Sequence, residues 1–221
     1  MVREAYHKEL KRLENEVLNM ADMAVMAIKD SVEALKNGDI KSSNEIILND
    51  RLINKKRFDI EDECLLLIAT QQPVAIDLRT IAAILSIITD LERIADHAQG
   101  IAKICIMNGK QPLVKPLIDI PRMAGKAVEM LNKCLKAFVD RDVKSAKIVC
   151  NEDDEVDALY EQIFRELLVL MIENPKIIEG ATYLMWVAHN LERIADRVTN
   201  IAERVVFMVK GKMEEMNVSS Y

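Results

Sequence analysis

A chain of 221 residues is long enough for one large domain or two small ones, and half of it is apolar, so a sizeable core can be buried. Only 6 Gly and 5 Pro, with few aromatics, argue against a turn-rich β-sandwich or barrel and for long helices packed through aliphatic seams. The net charge of −6 argues against a nucleic-acid binder. Lys and Arg are dispersed, without a lipid-headgroup patch, and no apolar run approaches the roughly 20 residues that span a bilayer. Met1-Val2-Arg3-Glu4 lacks the apolar core of a signal peptide. Cys64, Cys105, Cys134 and Cys150 form no C-x-x-C pair and read as buried small hydrophobes in a reducing compartment. The expected location is the cytoplasm.

In chain order, Leu10, Leu13, Val17, Met20, Ala24 and Ala27 recur at spacings of 3 and 4, an apolar seam on a first helix. The helix runs into Asn37-Gly38, where glycine can take the left-handed conformation that ends helices. Asp39 starts a second helix carrying Ile53, Ile60, Cys64 and Leu67, which stops near Gln71-Gln72-Pro73. A third extends from about Val74 to Asn108 and ends at Gly109. After a linker with Pro112, Pro116 and Pro121 the pattern restarts at Ile120, Ala124, Ala127, Leu131, Cys134 and Phe138. A fifth helix follows Asp140-Arg141-Asp142 and ends near Asn174-Pro175; a sixth covers roughly Ile177 to Lys210.

The second half echoes the first. Leu91-Glu92-Arg93-Ile94-Ala95-Asp96 returns as Leu191-Glu192-Arg193-Ile194-Ala195-Asp196, and Gly38-Asp39-Ile40-Lys41-Ser42 matches Arg141-Asp142-Val143-Lys144-Ser145. The expected fold is all-α: two tandem three-helix bundles, six long helices in an internal duplication. The first repeat covers 1–110, the second 117–212, and the boundary falls at 109–117.

Glu92 and Asp96 stand one turn apart on one helix, and like charges at that spacing cost a few tenths of a kcal/mol. The chain carries this pair twice. On a helical wheel both pairs lie off the apolar stripe and are expected to face water or a partner. Counting outward from Pro73, Asp50 and Asn54 reach the same heights as Asp96 and Glu92. Around Pro175, Asp153 and Asp157 nearly match Asp196 and Glu192. Carboxylates gathered this way suit hard cations such as Mg²⁺, Ca²⁺, Mn²⁺ or ferric iron. His189, three residues before Glu192, is a further candidate ligand, with Thr89 at the matching place. The alternative is a solvated acidic face offset by Arg93 and Arg193. His7 and His97 read as surface residues, and Trp186 and the 12 Met as packing. A ferritin-type di-iron site needs E-x-x-H motifs in a bundle core; the one match, Glu4 to His7, is terminal and single. A carboxylate-bridged metal enzyme stays open as the rival function, and an inert helical scaffold as a third.

Gln71-Gln72-Pro73-Val74-Ala75 followed by Asp77-Leu78-Arg79, with Leu-Glu-Arg-Ile-Ala-Asp at the same place in each half, resembles the PhoU family over nearly the whole chain. The resemblance implies a cytoplasmic, metal-binding signalling adaptor without catalytic activity. It would be a negative regulator of phosphate uptake and the phosphate-starvation response. Its implied partners are a phosphate ABC transporter and a sensor histidine kinase, with attachment to the membrane through those proteins and no direct insertion. A homodimer is a further expectation. The implied cofactors are multinuclear metal clusters, iron first, with Mn, Zn, Ca or Mg as alternatives. Matched by position, Asp50, Glu92 and Asp96 would ligate one cluster, with Asn54 at a fourth position that departs from the family pattern. Asp153, Asp157, Glu192 and Asp196 would ligate the other.

Overall fold

The computed structural model describes residues 2–213, with side chains from Tyr6 onward. Six long helices carry the chain: α1 (Val2–Asn37), α2 (Ile40–Gln71), α3 (Ile76–Asn108), α4 (Asp119–Asp140), α5 (Val143–Glu173) and α6 (Ile178–Lys210), with a 3₁₀ turn at Pro175–Ile177 before α6. There is no strand among the described residues.

Each boundary has a local cause. The Asp39 carboxylate accepts from the amides of Lys41 and Ser42, both at 3.0 Å, and so satisfies donors that the start of α2 leaves free. Asp142 repeats this for α5 at 2.9 and 3.2 Å. The residue before each cap sits in the left-handed region, Gly38 at φ 63° and Arg141 at φ 56°. Glycine adopts that conformation freely, whereas arginine is strained there. Arg141 is held by its guanidinium, which binds the carboxylate of Glu14, buried on α1, and the carbonyl of Phe138 at 3.2 Å. The turn of the second half is thereby tied to the first helix of the first half.

Within each half the three helices pack on one another, and the halves join chiefly through α3 and α6, with α1 also meeting α4. The two central helices run antiparallel. Arg79 Nε donates to the Met208 carbonyl at 3.4 Å, Arg197 lies 3.5 Å from Asp90, and His97 Nδ1 lies 3.1 Å from Asn190 Oδ1. One continuous apolar core therefore runs through both halves, with Ile84, Ile88, Leu91, Leu184, Leu191 and Ile194 at its centre. All four cysteines are buried, as expected of small hydrophobes.

Two expectations need correction. His97 is not a surface residue: it is half-buried at the seam between α3 and α6, because antiparallel packing places it opposite Asn190. Trp186 is not packed inside: it is 47% exposed beside Tyr183, because α6 turns this position outward, away from the α3 contact.

Candidate metal centre

The carboxylates lie in the grooves between α2 and α3 and between α5 and α6. The helical wheel placed Glu92, Asp96, Glu192 and Asp196 off the apolar stripe, facing water or a partner. In the structure the neighbouring helix covers them. Asp50, Asp153 and Glu192 are buried, and Asn54, Glu92, Asp96, Asp157 and Asp196 are half-buried.

Their electrostatics couple the two helices of each groove. Burial raises the Asp50 carboxyl above its ordinary pKa, and the charge of Asp96 across the groove raises it further. Glu92 is raised by burial first, then by Asp96, with Asp50 adding to the effect and Arg93 and Arg57 opposing it. In the second half, burial and then Asp196 raise Asp157, while burial and then Glu192 raise Asp196. At the matched heights counted from Pro73 and Pro175, the carboxylates of the two helices in each half lie within electrostatic reach of one another.

Arginines hold this charge. Arg93 lies 3.4 Å from Glu92 and 2.9 Å from Asp96. Arg193 repeats the arrangement, at 2.8 Å from Glu192 and 2.9 Å from Asp196. Among the described residues no three His, Cys, Asp or Glu side chains converge on one point as a metal would require. A cation has to compete with these two guanidinium groups. The donor chemistry nevertheless suits one. Asp50 Oδ2 accepts from Asn54 at 3.1 Å, while Asp50 Oδ1 and Asn54 Oδ1 are sealed from solvent without a hydrogen bond. Such oxygens, desolvated beside further carboxylates, are poorly satisfied by protein alone and suited to a hard ion. His189 lies beside the second groove, its Nδ1 3.5 Å from Glu192, and Tyr160 packs against its ring at 6.3 Å between centroids.

Arg57 escaped the sequence reading. Its charge opposes the rise at Glu92 from α2, and its cue was its place three residues after Asn54.

The comparisons agree with this architecture. The PhoU domain model matches residues 17–105 and 120–205. A relative from Clostridium acetobutylicum, a phosphate-specific transport system accessory protein PhoU homolog, is 40% identical over 98% of this chain and 100% of its own length. A homolog of the same description from Deinococcus radiodurans is 37% identical over 96% of this chain and all of its own. Among solved structures, the phosphate transport system regulatory protein PhoU from Streptococcus pneumoniae superposes with a TM-score of 0.89 at 29% identity, covering 95% of this chain and 99% of that one. PhoU from Pseudomonas aeruginosa gives 0.88 at 31% identity, covering 94% of this chain and all of its own. Agreement in both halves, over nearly the full length of chain and relatives alike, makes this chain a member of the PhoU family.

Proposed function

We propose that this chain is a regulatory accessory protein of phosphate transport, not an enzyme, that restrains phosphate uptake and the phosphate-starvation response. It works as a cytoplasmic adaptor between a phosphate ABC transporter and a sensor histidine kinase at the membrane. The near full-length match to relatives named accessory or regulatory proteins of phosphate transport carries this reading. No described helix is long and apolar enough to cross a membrane, and attachment through protein contacts belongs to the same reading. Self-association as a dimer belongs to the same reading. Deleting the gene leaves phosphate-scavenging genes switched on in high phosphate; normal repression in the deletion strain refutes the role.

The grooves are the proposed metal centres, with iron first and Mn, Zn, Ca or Mg as alternatives. Asp50, Glu92 and Asp96, with Asn54 beside them, hold one set of ions. Asp153, Asp157, Glu192 and Asp196 hold the other. Bound ions would neutralise carboxylates that burial and mutual repulsion disfavour. Half-buried carboxylates within electrostatic reach of one another in both halves support this, as does the sealed, unbonded oxygen of Asp50. A ligand that binds the folded state stabilises it by roughly 2.7 kcal/mol at a hundredfold excess over Kd. Melts with chelator and with Fe³⁺, Mn²⁺ or Zn²⁺ test this. Glu192→Ala/Asp196→Ala loses the second site's share of the shift, and a wild type without any shift overturns the metal reading.

A further inference from the structure

We propose that the two grooves are unequal metal sites. The second, between α5 and α6, fills first and keeps its ions; the first, between α2 and α3, exchanges them, because Arg57 and Lys103 hold its affinity down. The inference rests on the metal reading above, which the sealed, unbonded Oδ1 of Asp50, a residue only 7% exposed, supports.

The internal duplication supplies the comparison. Aligned through the caps Asp39 and Asp142, Asn54 corresponds to Asp157 and Arg57 to Tyr160. Aligned through the repeated Leu-Glu-Arg-Ile-Ala-Asp, Thr89 corresponds to His189 and Lys103 to Glu203. Each of the four exchanges makes the first groove less attractive to a cation. Asn54 offers an amide where Asp157 offers a charge. Arg57 is held by Glu61 at 3.3 Å and lies 5.1 Å from the centroid of the Phe58 ring, and its charge opposes the rise that burial and Asp96 cause at Glu92. Lys103 acts in the same sense on Asp50, against burial and Asp96. Thr89 spends its hydroxyl on the Leu85 carbonyl at 3.0 Å, whereas His189 brings Nδ1 within 3.5 Å of Glu192, an imidazole beside the carboxylates.

In the second groove α5 adds negative charge of its own. Burial, then Asp196, Asp154 and Glu161 raise Asp157, and Arg193 opposes them from α6. The three carboxylates of the first groove thus share the field of three cations, Arg57, Arg93 and Lys103. The four of the second share that of two, Arg193 and Arg197, and Arg197 also pairs with Asp90 at 3.5 Å. The charge count of the ligands sets the affinity of an oxygen site for a hard cation, so the second groove binds at least about tenfold more tightly. The resident cations of the first groove also leave its buried carboxylates compensated when an ion departs, which is what exchange requires.

The test titrates the chelator-treated full chain with Mn²⁺, the free ion being counted by its paramagnetic resonance. The wild type shows two classes of site at least about tenfold apart in Kd. Glu192→Ala/Asp196→Ala removes the tighter class and leaves the weaker. Arg57→Tyr/Lys103→Glu, which copies the second half, tightens the weaker class about tenfold and leaves the tighter one unchanged. Arg57→Gln, a milder change, moves the weaker class the same way by a smaller factor. Equal affinity of all sites, survival of the tighter class in Glu192→Ala/Asp196→Ala, or a weaker class unmoved in both Arg57 variants overturns the inequality and leaves the metal reading standing. A wild type that binds no Mn²⁺ overturns the inference, and the melts with Fe³⁺ and Zn²⁺ then decide whether the metal reading falls with it.

Discussion

At Asp39 and Asp142 the two halves of the chain are indistinguishable: the same carboxylate caps the same helix through the same two amides. At Arg57 and Tyr160, also equivalent positions, they differ in kind. Arg57 pairs with Glu61 at 3.3 Å, whereas Tyr160 packs against Phe164 with centroids 6.2 Å apart. On the adjoining helix Ser86 answers to the exposed Trp186. The flank of the first carboxylate groove is therefore charged, and that of the second is aromatic. Caps and seam leucines, which decide whether the helices form and pack, are repeated. Outer faces, which packing does not dictate, are free to differ, and there any distinction in binding between the halves is to be sought.

The largest expected effect tests the repeated part. Leu91 and Leu191 are both 0% exposed at equivalent places in the seam. Leu→Ala at either site costs about 3 kcal/mol through lost burial and a residual cavity, and the two values agree within about 1 kcal/mol. Urea melts measure both, and a gap much wider than that breaks the equivalence of the two central helices.

Next comes a contrast between the turns. Glu14→Ala removes the carboxylate that holds Arg141 in a left-handed conformation, and we expect a loss of about 2 kcal/mol, below the full cost of breaking a buried pair because the Arg141 side chain is 34% exposed. The equivalent turn at Gly38 needs no such anchor, and Glu33→Ala on the exposed end of α1 changes a thermal melt little.

A sharper comparison comes from Asn54→Asp, which gives the first groove the carboxylate that Asp157 supplies in the second. If the first groove holds the proposed metal, the added ligand charge is expected to tighten its binding about tenfold. Without metal the new i,i+4 repulsion with Asp50 costs a few tenths of a kcal/mol. Metal titration and a melt in chelator read the two effects separately.

The smallest effect concerns the caps. Hydrogen bonds from the Ser42 hydroxyl and amide hold Asp39 below the ordinary carboxylate range, and Ser145 does the same for Asp142. A depressed folded-state pKa gives stability that is present above the unfolded value of about 4 and lost as the pH falls through the lowered one. Asp39→Ala and Asp142→Ala therefore lower the melting temperature equally at pH 7 and converge with wild type in strong acid. Unequal shifts break the equivalence of the caps.

Much of this was legible in the residues. The 3–4 spacing of Leu13, Val17 and Met20 and the stops at Gly38, Pro73 and Gly109 place the helices, since periodicity and breakers act locally. The constant rise per residue likewise puts Asp50 level with Asp96. Rotation about the helix axis is different, because it is fixed by what packs across from it. For that reason the cover over Glu192, the place of His97 and the outward turn of Trp186 appear only in three dimensions. Arg93 is the instructive case. Its neighbours Glu92 and Asp96 are plain in the sequence, yet its hold on both depends on side-chain conformations that no spacing encodes.

The antiparallel seam has the geometry of an isologous contact, in which position i meets j and j meets i across a two-fold axis. In a symmetric dimer of one repeat, both copies of such a contact would have to carry the same residues. A single chain that holds the axis inside itself is under no such obligation. Here the two copies have parted: Asp90 faces Arg197, an ion pair, while Asn190 faces His97, a hydrogen-bonded one. An approximate dyad with unlike ends gives the molecule a direction, so a partner docking across the seam meets two distinguishable faces and has one way round to bind.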